Sequence, residues 1–113
     1  MNPTNDFIIE DCGDYFDFPR LFVIKESNSD LLFSCGIAED TDEYLGNFII
    51  YKMDSGWDAI QPIPWMELPT SNFANELMRV RVSDVMFSGH KNRYLSFRNI
   101  DILEQLSALL AKN

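Results

Sequence analysis

The sequence predicts an α+β fold in one domain over residues 1–113: a mainly antiparallel β-sheet of about five or six strands, with a C-terminal amphipathic helix packed on one face. Three observations predict it. Residues 20–38 alternate and turn as a hairpin does, residues 45–53 form another apolar strand, and apolar residues from Ile102 onward recur at helical spacing. A chain of 113 residues is close to the common size of one domain. Its 46% hydrophobic content, with nine Phe, fills a real core and excludes the disordered class.

Residues 7–12 (F-I-I-E-D-C) read as a short strand. Gly13 to Pro19 reads as a turn or a single helical turn, in which Asp14 and Asp17 accept local backbone hydrogen bonds. Residues 20–26 (R-L-F-V-I-K-E) are rich in β-branched and aromatic residues, and the run Leu21 to Ile24 is apolar on both faces, as in a covered central strand. After the polar turn Ser27 to Asp30, Leu31, Phe33, Cys35 and Ile37 alternate with Ser34, Gly36 and Ala38, which is the period of a strand with one buried face. Glu39 to Glu43 is a solvated acidic loop. Residues 45–53 are the next strand, closed by the turn Asp54-Ser55-Gly56.

Pro62, Pro64 and Pro69 rule out regular helix and central strand in Gln61 to Pro69, leaving an extended connector or an edge. Ser71 to Met78, with a Ser ahead of Phe73, Leu77 and Met78, is expected to form one short helix. Residues 79–87 begin with alternating basic and apolar residues, as a half-exposed strand does. Ser88 to Arg93 is a basic turn, and Tyr94 to Phe97 is a last short strand. Asn99 can cap the final helix. Ile102, Leu103, Leu106, Leu109 and Leu110 form its apolar stripe, with Asp101 and Glu104 near its start and Lys112 near its end, as the helix dipole prefers. That stripe is assigned to the core rather than to a partner helix, because a single sheet needs one face covered.

The net charge of −9 is unevenly distributed. Residues 1–58 hold thirteen acidic side chains against Arg20, Lys25 and Lys52, a balance of −10; residues 59–113 hold five against six, a balance of +1. A field of one sign repels nucleic acid and anionic membrane and attracts a basic partner, although acidity also serves solubility. No apolar run is long enough to span a membrane. Met1 to Asp6 lacks the charged start and apolar run of a secretion signal, so a cytoplasmic protein is expected. In that reducing compartment Cys12 and Cys35 remain thiols and behave as small hydrophobes; a disulfide between them would require export.

No catalytic centre is legible, and the expectation is a protein that is not an enzyme and uses no cofactor or metal. His90 is the single histidine, in the polar loop S-G-H-K-N-R-Y, with no carboxylate or nucleophile beside it in sequence. There is no G-x-S-x-G, P-loop or G-x-G-x-x-G. A calcium-loop reading from Asp40 places Leu45 where Gly is required and Tyr51 where Glu is required. The pairs Asp14/Asp17 and Asp54/Asp58 lie in turns, where capping and solubility account for them. Arg79, Arg81, Lys91, Arg93 and Arg98, with Tyr94 and Phe97, have the composition of a nucleic-acid patch. The overall charge argues against that role, since phosphate contacts dominate such affinity, and the bases are read as offsetting the acidic half. Trp57 and Trp65 flank the proline segment as either interface anchors or cover for the sheet edge.

The stretch Asp14 to Lys25 (D-Y-F-D-F-P-R-L-F-V-I-K), followed by a polar turn, a second strand and the acidic cluster at 39–43, resembles small acidic bacterial immunity proteins of contact-dependent inhibition and other toxin–immunity systems. The likeness covers the first half of the chain. It implies one-to-one capture of a cognate protein toxin, often a basic nuclease, with no direct nucleic-acid contact. An acidic patch fits such a phosphate-holding cleft and steers association. Here the partner-binding patch would be Asp14, Asp17, Glu39, Asp40, Asp42 and Glu43, with Tyr44 or Trp57 as aromatic anchors. The alternatives are a non-enzymatic adaptor or accessory subunit, and an inhibitor that imitates nucleic acid.

Overall fold

The computed structural model describes residues 7–16, 18–26, 29–37, 44–54 and 65–111. It has the expected α+β architecture, with seven strands among the described residues where five or six were expected. The strands are β1 (Phe7–Phe16), β2 (Phe18–Glu26), β3 (Ser29–Ile37), β4 (Tyr44–Met53), β5 (Ala74–Arg81), β6 (Val85–Ser88) and β7 (Tyr94–Phe97), followed by α1 (Ile100–Ala111). They form one sheet in the order β5-β4-β3-β2-β1-β7-β6, and every pairing is antiparallel.

The hairpin read from residues 20–38 is present, with Glu26 opposite Ser29 and Phe22 opposite Phe33. β2 is covered on both faces. Phe22 and Ile24 join Leu31, Phe33, Phe48, Ile50 and Leu106 in the main core. Leu21 and Val23 point the other way, into a smaller cluster with Leu32, Met53 and Leu68. Leu68 comes from a 3-10 segment, Trp65–Thr70, lying under the face that α1 leaves open.

The sheet cannot be flat. β5 and β6 are its opposite edges, yet only the 3-10 turn Val82–Asp84 separates them in sequence. Six strand spacings would put flat edges about 29 Å apart, whereas a connection of that length reaches about 14 Å at most. The sheet therefore curls into an open barrel. The ring contacts agree: Phe87 of β6 lies 5.8 Å from Phe22 of β2 and 6.2 Å from Phe48 of β4, measured between centroids. α1 packs Leu106 into the concave side, with Ile102, Leu103 and Leu110 around it.

Three segments differ from the sequence reading. Gly13 to Pro19 is not a turn: β1 continues to Phe16, and Tyr15 pairs with Pro19. Pro19 offers no N–H to that ladder, and the register slips between Asp14 and Tyr15. Ser71 to Met78 is not a helix. Its second half is β5, hydrogen-bonded along β4 from Met53 opposite Ala74 to Asn47 opposite Arg81. Ser71 ends the preceding 3-10 segment instead, its hydroxyl donating to the Leu68 carbonyl at 2.7 Å and accepting from the Phe73 N–H at 3.3 Å. The proline connector is not extended over Trp65–Thr70, because a tight 3-10 turn tolerates Pro69 near its end. Residues 79–87 are likewise two strands broken by a turn.

The start of α1 is as expected. The Asp101 N–H donates to Asn99 Oδ1 at 2.9 Å, satisfying one of the first-turn donors that a helix leaves without a partner. Asn99→Ala is expected to lower stability by about 1 kcal/mol, read as a lower urea midpoint at unchanged slope. A midpoint equal to the parent protein's would mean that this cap contributes nothing.

Candidate functional site

The meander β1 to β4 fixes where the acidic stretches enter and leave the sheet. Phe16 pairs with Phe18, and Ile37 pairs with Tyr44. Leu21 faces Ser34, so the β1–β2 and β3–β4 junctions lie toward the same end of the sheet. The β2–β3 junction, Glu26 opposite Ser29, is at the other end. The backbones of Asp14 and Tyr44 are thus near the shared end, and their side chains are outside what the structure describes. Asp17, Glu39, Asp40, Asp42, Glu43 and Trp57 all lie outside the described residues. The strand that leads toward Trp57 finishes at Met53, opposite Asp30 and Ala74, at the end of the meander far from Tyr44.

The basic residues of the second half do not gather into one patch. Arg79 pairs with Glu76 at 3.0 Å and Arg81 with Asp84 at 3.9 Å, each along its own segment. Arg98 donates from Nε to the Ser83 carbonyl at 2.8 Å and holds the turn between β5 and β6. Among the described residues the ion pairs of these bases are therefore local ones. They are well exposed, and pairs of that kind contribute little to stability.

Lys91 and Arg93 are placed differently. They stand with Ile9, Glu10, Cys12, Pro19, His90, Asn92 and Tyr94 around a groove of about 540 Å³. The groove arises because β7 leaves β1 early. Only Phe7 and Ile8 pair with β7, and the Ile9 N–H donates to the Arg93 carbonyl at 2.9 Å. The chain segment preceding β7 then turns away through Asn92 and Lys91, at φ 53° and 57°, and Gly89, at φ 83°. Its ψ of 177° puts Gly89 in a region that only glycine occupies without strain. The Tyr94 ring rests on it: a Cβ at position 89 would lie 2.4 Å from a ring carbon of Tyr94. Gly89→Ala is expected to cost about 1–3 kcal/mol and to displace the Tyr94 ring, seen as shifted Tyr94 ring resonances. Unshifted resonances at full stability would contradict this packing.

His90 is exposed on the rim of the groove, as the sequence reading had it, and Glu10 lies on the wall. Among the described residues no group of three or more His, Cys, Asp or Glu side chains is placed to hold a metal ion, and no helix is long and apolar enough to cross a membrane.

The two cysteines are not bonded to one another; Cys12 is exposed and Cys35 buried. Burial pushes the Cys35 thiol above its ordinary pKa, while the nearby Arg20 guanidinium pulls weakly the other way. Tyr51 is raised as well, by burial first and then by the Glu76 carboxylate. A thiol or phenol whose folded pKa exceeds its unfolded value contributes stability that is intact below the unfolded pKa and is lost as pH climbs through the folded one. The urea midpoint is thus expected to fall as the pH rises past the ordinary thiol value of 9.0. At pH 8 a disulfide reagent is expected to titrate Cys12 rapidly and Cys35 only after unfolding. Two equally fast thiols in the folded protein would contradict the burial of Cys35.

No protein-family model, no curated protein and no solved structure matches this chain.

Proposed function

We propose that this protein is an immunity protein, which binds a cognate toxin domain with a basic cleft, a nuclease in the leading case, and blocks it. The carrying observation is the charge asymmetry, −10 over residues 1–58 against +1 over residues 59–113. Two of the acid-bearing stretches, around Asp17 and at 39–43, join strands whose ends share one end of the sheet, which supports their acting on one partner. A concentrated negative field accelerates encounter with a phosphate-binding cleft and competes with its substrate. The roles offered for Asp14, Asp17, Glu39, Asp40, Asp42, Glu43, Tyr44 and Trp57 belong to this proposal. So does the view that the protein works by occlusion rather than catalysis, in the cytoplasm, where such a toxin acts.

The test is co-expression with the toxin domain encoded beside it. Protection is expected, and His90→Ala should protect fully. Changing Glu39, Asp40, Asp42 and Glu43 together to Gln or Asn should leave the fold intact and slow association at low salt by about tenfold or more. Loss of that difference in high salt would identify steering as the cause. An unchanged association rate removes this patch from the interface. Absence of both protection and a recovered complex overturns the proposal.

A further inference from the structure

We propose that the groove beside β1 is a second docking site, where an acidic, extended segment of a partner protein adds to the outer edge of β1 while its carboxylates meet Lys91 and Arg93. This site asks for a partner opposite in charge to the one that the acidic stretches would take.

The first observation is an edge that outlasts its neighbour. β1 runs from Phe7 to Phe16, but β7 pairs with it only at Phe7 and Ile8. Beyond the Ile9–Arg93 hydrogen bond, no described strand lies along its outer side. Glu10, Cys12 and Gly13 there are exposed. Backbone groups on a sheet edge are a template for another strand, and peptide capture by strand addition uses them.

The second observation is what stands across from that edge. The Lys91 and Arg93 side chains are exposed and make no hydrogen bond or ion pair with any described residue. Among the described residues of the lining, Lys91 and Arg93 stand with one carboxylate, Glu10. The floor is apolar, with Ile9 and Pro19 almost wholly buried, and Tyr94 in the lining is 40% exposed. Alternate side chains of an added strand can therefore meet charge and apolar surface in turn.

The third observation limits the occupant. The pairing of β1 with β2 slips in register three times between Ile9 and Tyr15, so a regular added ladder is short. Irregular edges of this kind discourage indiscriminate pairing, and the cations select against a basic strand. A nucleic acid is the weaker candidate, because a strand edge is matched by the regular amide and carbonyl spacing of an extended peptide and not by a phosphate backbone.

The test uses the full chain and a fluorescein-labelled short peptide of alternating Glu and Val, followed by anisotropy at low and high salt. The comparison probes are the same peptide with alternate amides N-methylated, a Lys–Val peptide and an oligothymidylate. The acidic peptide is expected to bind. N-methylation and the double change K91E/R93E should each weaken it by about tenfold or more, and Glu10→Gln should tighten it. Lys91 and Arg93 are surface residues, so the double variant is expected to keep the parent circular dichroism spectrum. No binding of the acidic peptide, equal binding of its N-methylated form or the Lys peptide, equal or tighter binding of the oligothymidylate, or full affinity in the folded K91E/R93E protein each overturns the proposal. The N-methylated ligand keeps the question decidable even if a variant misfolds.

Discussion

Replacing Phe33 by Ala is expected to cost about 3–5 kcal/mol, the largest effect of any substitution considered. Phe33 is fully buried at the centre of the concave face. Its ring stacks on Phe22 at 5.0 Å, meets Phe48 edge-on at 5.9 Å and reaches Phe97 at 6.2 Å. These partners come from β2, β4 and β7, so one ring joins strands from both halves of the curled sheet. The loss combines the transfer free energy of the ring with the cavity it leaves. Strands pinned on both sides collapse poorly into such a space, which favours the upper part of the range. A domain of this size has about 5–15 kcal/mol in total, so the variant should unfold at markedly lower urea. A loss below about 1 kcal/mol would mean that the concave face is not the packed core described.

Leu106→Ala is expected to cost about 2–5 kcal/mol, while Ile100→Ala on the same helix should stay within about 0.5 kcal/mol. Leu106 is fully buried against the sheet, whereas Ile100 is 50% exposed. Helix propensity cannot produce this contrast, because Ala improves both positions slightly. Burial against the barrel does. Denaturation of the two variants side by side decides it: equal losses would mean that α1 is held by something other than its apolar stripe.

Much of the fold was legible where one physical signal dominated. The period-two run from Leu31 to Ile37 and the double-sided apolar run of β2 specify strands without help from context, as the stripe from Ile102 specifies α1. The errors fall where local chemistry and long-range pairing disagree. Asn75, Glu76, Leu77 and Met78 are acceptable in a helix, yet β4 offers a ladder for all of β5, and pairing overrides propensity. Gly13, Asp14, Asp17 and Pro19 spell a turn, yet β1 goes on pairing with β2 nearly to the tip of the hairpin. The groove was half legible. The basic run H-K-N-R after Gly89 marks an exposed turn, but nothing local reveals that it faces the outer edge of a strand some eighty residues earlier. The acid-rich stretches were legible as charge, since charge is read from composition alone, whereas an interface depends on how loops are placed.

The pairing of Phe7 and Ile8 with β7 carries a consequence for the order in which the molecule can be made. During synthesis the meander β1 to β4 emerges first, with its inner face of Phe22, Phe33 and Phe48 complete. The pieces that roof it, Phe87, Phe97 and Leu106, come from the later part of the chain. Neighbouring hairpins form early because their loops are short, while closure across the whole sequence comes late because its ends must find one another. A nascent chain halted after β5 would present an aromatic trough to solvent, which makes the interval before β6, β7 and α1 appear the stage most open to aggregation and to chaperone capture.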